Sequence, residues 1–353
     1  MLKAAVIGCG KMGAEPSNRV EGKIPSGWTP ISHAESFIQA ENVVLTAFAE
    51  VNIKRLRWAG ENYGIRSLFK DHKELFREVK PEIIGVATRT PDKIEIMQDA
   101  CNSGIKGIYV EKPIANNLFD AKHILNLAKT TNTIVSYGVN RRYHSVYRQA
   151  RELIRLGEIG NILEVIIEFG ESPLMWTHPH SVDLMIFLTE QSPIEVQAEL
   201  LDSTVLKKSN KKIDSDPVIS YAKFWFDGGA VGLILRGAGF GVRVNGTKGS
   251  LEIFSDGAAI QIRKSFGQAT GYFLSSQLIM PLSQRSATVI AIEELVKMIN
   301  GEKIFSISHN EIYLGMQMLW GCVLSHFEGG KKCLLVNIPE DLLITGRFGK
   351  KYA

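Results

Sequence analysis

Three short stretches of the chain carry residue types whose chemistry is specific. The first is GCGKMG, residues 8–13, which spaces Gly8, Gly10 and Gly13 as GxGxxG directly behind a short apolar run. Gly8 permits a tight turn, Gly10 lets the backbone approach a pyrophosphate and Gly13 allows close packing, while the amides of the loop, those of Cys9, Lys11 and Met12 included, face the anion. The second is GIYVEKPIANN, which sets Glu111, Lys112 and Pro113 at the end of another apolar run. A lysine ammonium there can hydrogen-bond a substrate oxygen and stabilise negative charge developing on it, or it can simply be a surface lysine before a turn. The third, WTHPHSVDLMIFLTE at 176–190, places His178 and His180 two positions apart, then Asp183, and runs into an apolar segment. Histidine in such a place suits a metal site, acid–base work or the buried start of a helix. Zinc needs a third and usually a fourth ligand, and no cysteine pair or ligand cluster accompanies these histidines, so no metal is expected.

These groups need a scaffold. In the first 138 residues the runs KAAVIG, VVLTAFA, EIIGVA, KGIYV and TIVSYG alternate with amphipathic stretches, the pattern of a parallel α/β sheet. SHAESFIQA reads as a helix capped by Ser32, and NNLFDAKHILNLAKTT puts Leu118, Ala121, Ile124, Leu125 and Ala128 on one helical face. The glycine motif therefore opens a dinucleotide-binding domain, expected over residues 1–138, with Lys112 at the carboxyl edge of its sheet. Glu50, closing VVLTAFAE, is placed to accept hydrogen bonds from the adenosine ribose and to repel a 2′-phosphate. NAD is the expected cofactor, with NADP kept open by Lys54 and Arg55 close by.

From residue 139 the texture changes. NRRYHSVYRQARELIRLGEIG reads as a basic amphipathic helix closed by glycine, and NILEVIIEFG, IEVQAELL, VISYAKFWFD, AVGLILRG and GSLEIFS as β-segments. Two helices follow, SATVIAIEELVKMINGE and one capped at Ser308. A second, α+β domain over 139–353 is the expectation. Between Gly13 and the first clear helix lies the Pro-, Gly- and Ser-rich stretch AEPSNRVEGKIPSGWTPISH, whose Arg19 and Trp28 form either a lid that contacts substrate or part of a passive insertion.

Composition excludes several alternatives. A length of 353 residues suits two domains, and 41 basic against 37 acidic residues leave a net charge of only +4, without a nucleic-acid footprint. The basic KKSNKK at 207–212 sits among Ser, Asn and Asp and reads as a solvated loop. Apolar runs are too short to cross a bilayer, the amino terminus meets the glycine motif where a signal peptide needs a cleavage site, and the four cysteines lack CxxC spacing. A cytoplasmic location with unpaired thiols follows as an expectation.

Taken together, GCGKMG, HAESF, VATRTPDK, EKPIANN, YGVNRRY, LIRLGEIGNI, HSVDLMIFL and VNGTKGSLEI make the chain resemble the Gfo/Idh/MocA oxidoreductases over nearly its whole length. The resemblance implies an amino-terminal Rossmann domain and a carboxyl-terminal α+β domain with an open mixed or antiparallel sheet. It further implies a homodimer or homotetramer, a nicotinamide cofactor and a sugar, cyclitol or nucleotide-sugar substrate. By position, Lys112 matches the EKP lysine that binds the reacting oxygen, and Glu111 and Thr88 fall where relatives contact the cofactor. Asn140 and Arg141 either line the cleft or brace the domains. His180 matches a catalytic histidine and Asp183 a following aspartate, but an acid expected four residues before His180 is here Trp176. Indole can stack on a sugar ring or donate one hydrogen bond, and cannot take a proton. The implied activity is hydride transfer between nicotinamide and a carbinol or carbonyl carbon. Lys112 orients the oxygen, His180 moves the proton, and Trp176, His178 and Asp183 lie around the substrate. The same fold also admits NAD-dependent glycoside cleavage, or a regulator that binds NAD without catalysis.

Overall fold

The structure is a computed structural model; it describes residues 1–201, 212–265, 275–281, 285–304 and 306–345. Of KKSNKK, all but Lys212 lies outside the described residues.

Six parallel strands build the first sheet: β1 (Leu2–Ile7), β2 (Val43–Ala49), β3 (Ser67–Phe69), β4 (Ile83–Val86), β5 (Gly107–Val110) and β6 (Ile134–Tyr137), in the order 3-2-1-4-5-6. That order reverses direction at β1, so a crevice opens at the carboxyl ends of β1 and β4. Helices α1 (His33–Gln39), α2 (Ile53–Tyr63), α3 (His72–Val79), α4 (Thr90–Asn102) and α5 (Leu118–Thr130) link the strands. The buried residues of α5 are Leu118, Ala121, Ile124, Leu125 and Ala128, the face its apolar spacing predicts. The segment without a strand signal in its sequence, β3, is three residues long and nowhere fully buried.

The second sheet has nine strands: β7 (Ile162–Glu168), β8 (Pro193–Leu201), β10 (Val218–Phe226), β11 (Val231–Leu235), β12 (Gly241–Gly246), β13 (Gly249–Phe254), β14 (Ala259–Lys264), β15 (Ser275–Ile279) and β16 (Cys333–Leu334). Their order is 15-14-13-12-7-11-10-8-16, antiparallel throughout except for β7 against β11. Two short strands, β9 (Lys212–Ile213) and β17 (Leu343–Ile344), pair separately. Helices α6 (Ser145–Arg155), α7 (Leu174–Thr189) and α9 (His309–Phe327) accompany this sheet, α9 against β8 and α7 against β7 and α9. The strands alternate buried with half-exposed residues, for example buried Ile219, Ala222, Phe224 and Phe226 in β10. One face is therefore core and the other faces outward. Among the described residues no helix is long and apolar enough to cross a membrane.

Helix α8 (Ala287–Ile299) lies in sequence between β15 and β16 of the second sheet but packs on β5, β6 and α1 of the first. Its Leu295 and Ile299 occupy the space that a side chain at Gly107 would need. The two sheets are thus joined by a returning helix as well as by the crossing at Asn140–Tyr143, which is a 3-10 turn rather than the start of a continuous helix.

Candidate active site

The glycine loop sits at the carboxyl end of β1. Gly8 has φ +92°, a conformation that L side chains rarely adopt, and a Cβ on Gly13 would fall on the carbonyl oxygen of Gly8, whereas a Cβ on Gly10 would meet nothing. Loop and helix α1 do not run on into each other. Residues 14–32 intervene, and α1 docks back by donating the His33 and Ala34 amides to the carbonyls of Met12 and Gly13. The amides of Gly10, Lys11 and Met12 donate no hydrogen bond within the described residues, and the buried Thr88 hydroxyl, at the end of β4, also lacks a partner there. Three consecutive amides beside an open glycine fit a dinucleotide pyrophosphate. Glu50 lies at the end of β2, its carboxylate accepting the Cys9 amide at 2.8 Å and the Asn52 amide at 2.9 Å. It is fixed against the glycine loop with lone pairs to spare for ribose hydroxyls. Lys54 and Arg55 are exposed in the first turn of α2.

Lys112 follows β5. Its ammonium donates to the Trp176 carbonyl at 2.5 Å and lies 3.9 Å from the centre of the Trp176 ring, so it ties the first domain to α7 of the second. A cation over an indole face is held electrostatically as well as by contact. Trp176 is 45% exposed. His180, one helical turn further on and on the same side of α7, is half-buried. Burial, together with the nearby Arg141 and Lys112 cations and His178, holds its pKa well below that of an ordinary imidazole, so His180 is neutral at physiological pH. Helix α7 starts at Leu174, ahead of both histidines, and carries Pro179 inside it.

Several residues expected at the substrate are held elsewhere. His178 is fully buried, bonded through Nδ1 to Ser181 at 3.0 Å, with its pKa lowered to about 4 by burial. Two positions apart on a helix, His178 and His180 project about 200° from each other, and His178 turns into the core. Asp183 does not orient His180. Its carboxylate accepts the Arg142 Nε at 3.0 and 3.1 Å and Nη2 at 2.6 Å, and Arg142 also reaches Glu311 at 3.2 Å. Burial pushes the Asp183 carboxyl up to about 6 against the pull of Arg142, so the pair is charged at neutral pH.

Asn140 and Arg141 brace the domains. Asn140 accepts from the Tyr109 hydroxyl at 2.7 Å and donates to Thr288 on α8 at 3.0 Å. Arg141 makes a two-pronged pair with Asp256, 2.8 Å on each arm, and packs against Trp28, Phe169 and Phe240. Trp28 is only 8% exposed, stacks on His144 and donates its indole N–H to the Asp256 carbonyl at 2.9 Å. Arg19 donates to the carbonyls of Glu15, Pro16 and Lys11. Residues 14–32 are therefore an anchored strap between the glycine loop and the β13–β14 turn rather than a lid. The Glu111 side chain likewise turns inward, 3.2 Å from His33 Nε2, instead of toward a cofactor. Burial works against its charge, but His33, Lys112 and Lys93 outweigh it and hold the pKa below the usual carboxylate value.

Three of the participants, Lys93, His33 and Asp256, are not marked as site residues by the sequence, although Lys93 ends VATRTPDK and His33 opens HAESF. Each lies in a stretch whose pattern fits an exposed helix or turn, and each gains its partner from a distant segment. Among the described residues, His72, Glu95 and Asp99 gather closely enough to hold an ion, but on α3 and α4, with Lys73 already paired to Glu95 at 2.7 Å.

Residues 2–139 match the Gfo/Idh/MocA oxidoreductase family, NAD-binding Rossmann fold. The chain is similar to a myo-inositol 2-dehydrogenase of Thermotoga maritima, 26% identical over 245 residues, which are 64% of this chain and 71% of that one. Among solved structures, it resembles an aldose-aldose oxidoreductase from Caulobacter crescentus complexed with glycerol (TM-score 0.74, 18% identity, 94% of this chain and 99% of that one). It also resembles an Agrobacterium radiobacter oxidoreductase in complex with NAD+, L-tartaric acid and magnesium (TM-score 0.73, 16% identity, 96% and 99%). The structural likenesses speak for a shared two-domain fold.

Proposed function

We propose that this chain is an oxidoreductase of the Gfo/Idh/MocA kind, the family its residues 2–139 match, and that it oxidises a secondary hydroxyl of a sugar, cyclitol or nucleotide sugar with NAD. The observation that carries this reading is the meeting of Lys112, from the first domain, with Trp176 and His180 of α7 in the second. The amides of Gly10, Lys11 and Met12 would hold the pyrophosphate, and Glu50 the adenosine ribose; NAD bound there supplies the hydride acceptor. The fixed Glu50 carboxylate favours NAD over its 2′-phosphorylated counterpart, because charge repulsion at hydrogen-bond distance disfavours the phosphate.

An ammonium has three N–H groups, so Lys112 can bond the Trp176 carbonyl and a substrate hydroxyl together, and can stabilise the charge that grows on the substrate oxygen. His180 enters neutral and is able to take the hydroxyl proton. Trp176 offers an apolar face to the carbon side of a sugar ring, and its place in the sequence removes any carboxylate relay behind His180. The outward face of the nine-stranded sheet, with half-exposed Tyr221, Lys223 and Trp225, supports assembly as a homodimer or homotetramer.

Steady-state kinetics of Lys112→Ala and His180→Ala test the assignment. In each variant turnover should slow by about a hundred-fold or more, with the Kd for NAD changed less than about three-fold. Unimpaired turnover in both would refute it.

A further inference from the structure

A lysine is rarely buried without a task, and Lys93 is only 1% exposed. It lies in the second turn of α4 and donates to the carbonyls of Glu111 at 2.6 Å and Pro113 at 2.8 Å, the two residues that flank Lys112. The main chain on either side of Lys112 is thus gripped by a single nitrogen. On the same loop, the Glu111 side chain is held by His33, whose own amide is bonded to the Met12 carbonyl of the glycine loop. Beneath the exposed ammonium of Lys112 there is consequently a buried polar support that reaches from α4 to the dinucleotide loop. Lys93 and His33 are themselves closed off from solvent, at 1% and 0% exposed.

We infer that Lys93 is a positioning residue for Lys112, acting through the carbonyls of Glu111 and Pro113 to fix the loop from which the Lys112 ammonium reaches the reacting oxygen. The inference rests on the reading of Lys112 as the group that orients the substrate. The chemistry suits a lysine. Two carbonyls separated by one residue need two N–H groups on one atom at the end of a long arm, which lysine supplies on an unbranched stem and glutamine on a shorter one. Burial and the neighbouring Lys112 lower the Lys93 pKa to about 7, opposed by Glu111, and an amine that has lost its proton still keeps the two N–H groups the carbonyls use. The support therefore survives on either side of neutrality.

The test compares Lys93→Met, which keeps the volume and removes both donors, with Lys93→Gln, which restores two N–H groups without charge, and with Lys112→Ala. Acetic anhydride labelling of the protein without cofactor, read peptide by peptide by mass spectrometry, reports the reactivity of Lys112 against exposed Lys54 as internal standard. In Lys93→Met the relative labelling of Lys112 should change at least three-fold and turnover should slow by about ten- to a hundred-fold. The KM for NAD should stay within about two-fold, and Lys93→Gln should recover part of both losses. Labelling and turnover within two-fold of wild type in a folded Lys93→Met, or in Lys93→Leu where the methionine variant does not fold, would overturn the inference while leaving Lys112 its role. Full turnover in Lys112→Ala alongside altered labelling in Lys93→Met would instead overturn the role of Lys112 and leave the support intact.

Discussion

Asp183→Asn separates the structural account of α7 from the one its sequence suggests. The substitution keeps the shape of the side chain and one acceptor oxygen, and removes the charge that faces Arg142 across three hydrogen bonds in a buried site. Removing one partner of a buried pair costs about 3–5 kcal/mol because the other charge is left uncompensated. Glu311 remains 3.2 Å from Arg142 and is partly solvated, so the lower figure, about 3 kcal/mol, applies. In a chain of this length each kcal/mol lowers the melting temperature by about 2 °C, which gives a loss of about 6 °C. Thermal unfolding followed by circular dichroism measures it, with turnover assayed well below the transition. The expectation is a clear loss of stability while kcat stays within a few-fold of wild type. An unchanged melting temperature together with turnover slowed about a hundred-fold or more would show that Asp183 orients His180 after all.

The buried, neutral His178 makes stability depend on acid. Its folded pKa of about 4 lies below the ordinary 6.5, so the unfolded chain binds the extra proton; the contribution is complete above about pH 6.5 and is lost as pH falls toward 4. Between pH 7 and pH 4 the wild type should lose about 3 kcal/mol more than His178→Asn does in urea unfolding, and parallel profiles would contradict this. For the cofactor, thermal shifts should rank NAD above NADP in the wild type, and Glu50→Gln should narrow the gap; a preference for NADP would reverse the role given to Glu50.

The parts of this architecture that repeat locally are legible in the sequence. The α5 face, the Ser308 capping box on α9 and the GxGxxG turn depend on residues within a few positions of one another, and periodicity or glycine geometry records them. Strands β12, β14 and β15 are less so, because β12 and β14 bury only two residues each and β15 is almost wholly exposed. At the site, Lys112, Trp176 and His180 can be named from their motifs, but the fate of the polar residues around them depends on distant partners. Arg141 and Arg142 are adjacent and alike, yet one pairs with Asp256, 115 positions away, and the other with Asp183, 41 away. Trp28 resembles a lid residue in sequence because the Asp256 carbonyl that buries it is 228 positions along the chain. A charge or indole in a loop carries no mark of whether water or a partner awaits it.

Oxidation of a carbinol carbon, with net transfer of its hydrogen to the nicotinamide, is the reaction proposed for the cleft. Incubating the protein with NAD and carbon-deuterated polyols, with myo-inositol and D-glucose among them, and recording the near-ultraviolet absorbance of reduced nicotinamide together with the mass of the recovered dinucleotide tests it most directly. NADH should carry one deuterium for each carbonyl formed from at least one such substrate, and should form at least about a hundred-fold more slowly with Lys112→Ala. Binding of NAD without reduction by any of them would mark a regulator, and glycoside cleavage with no net NADH would mark a transient use of the cofactor; either result contradicts the claim.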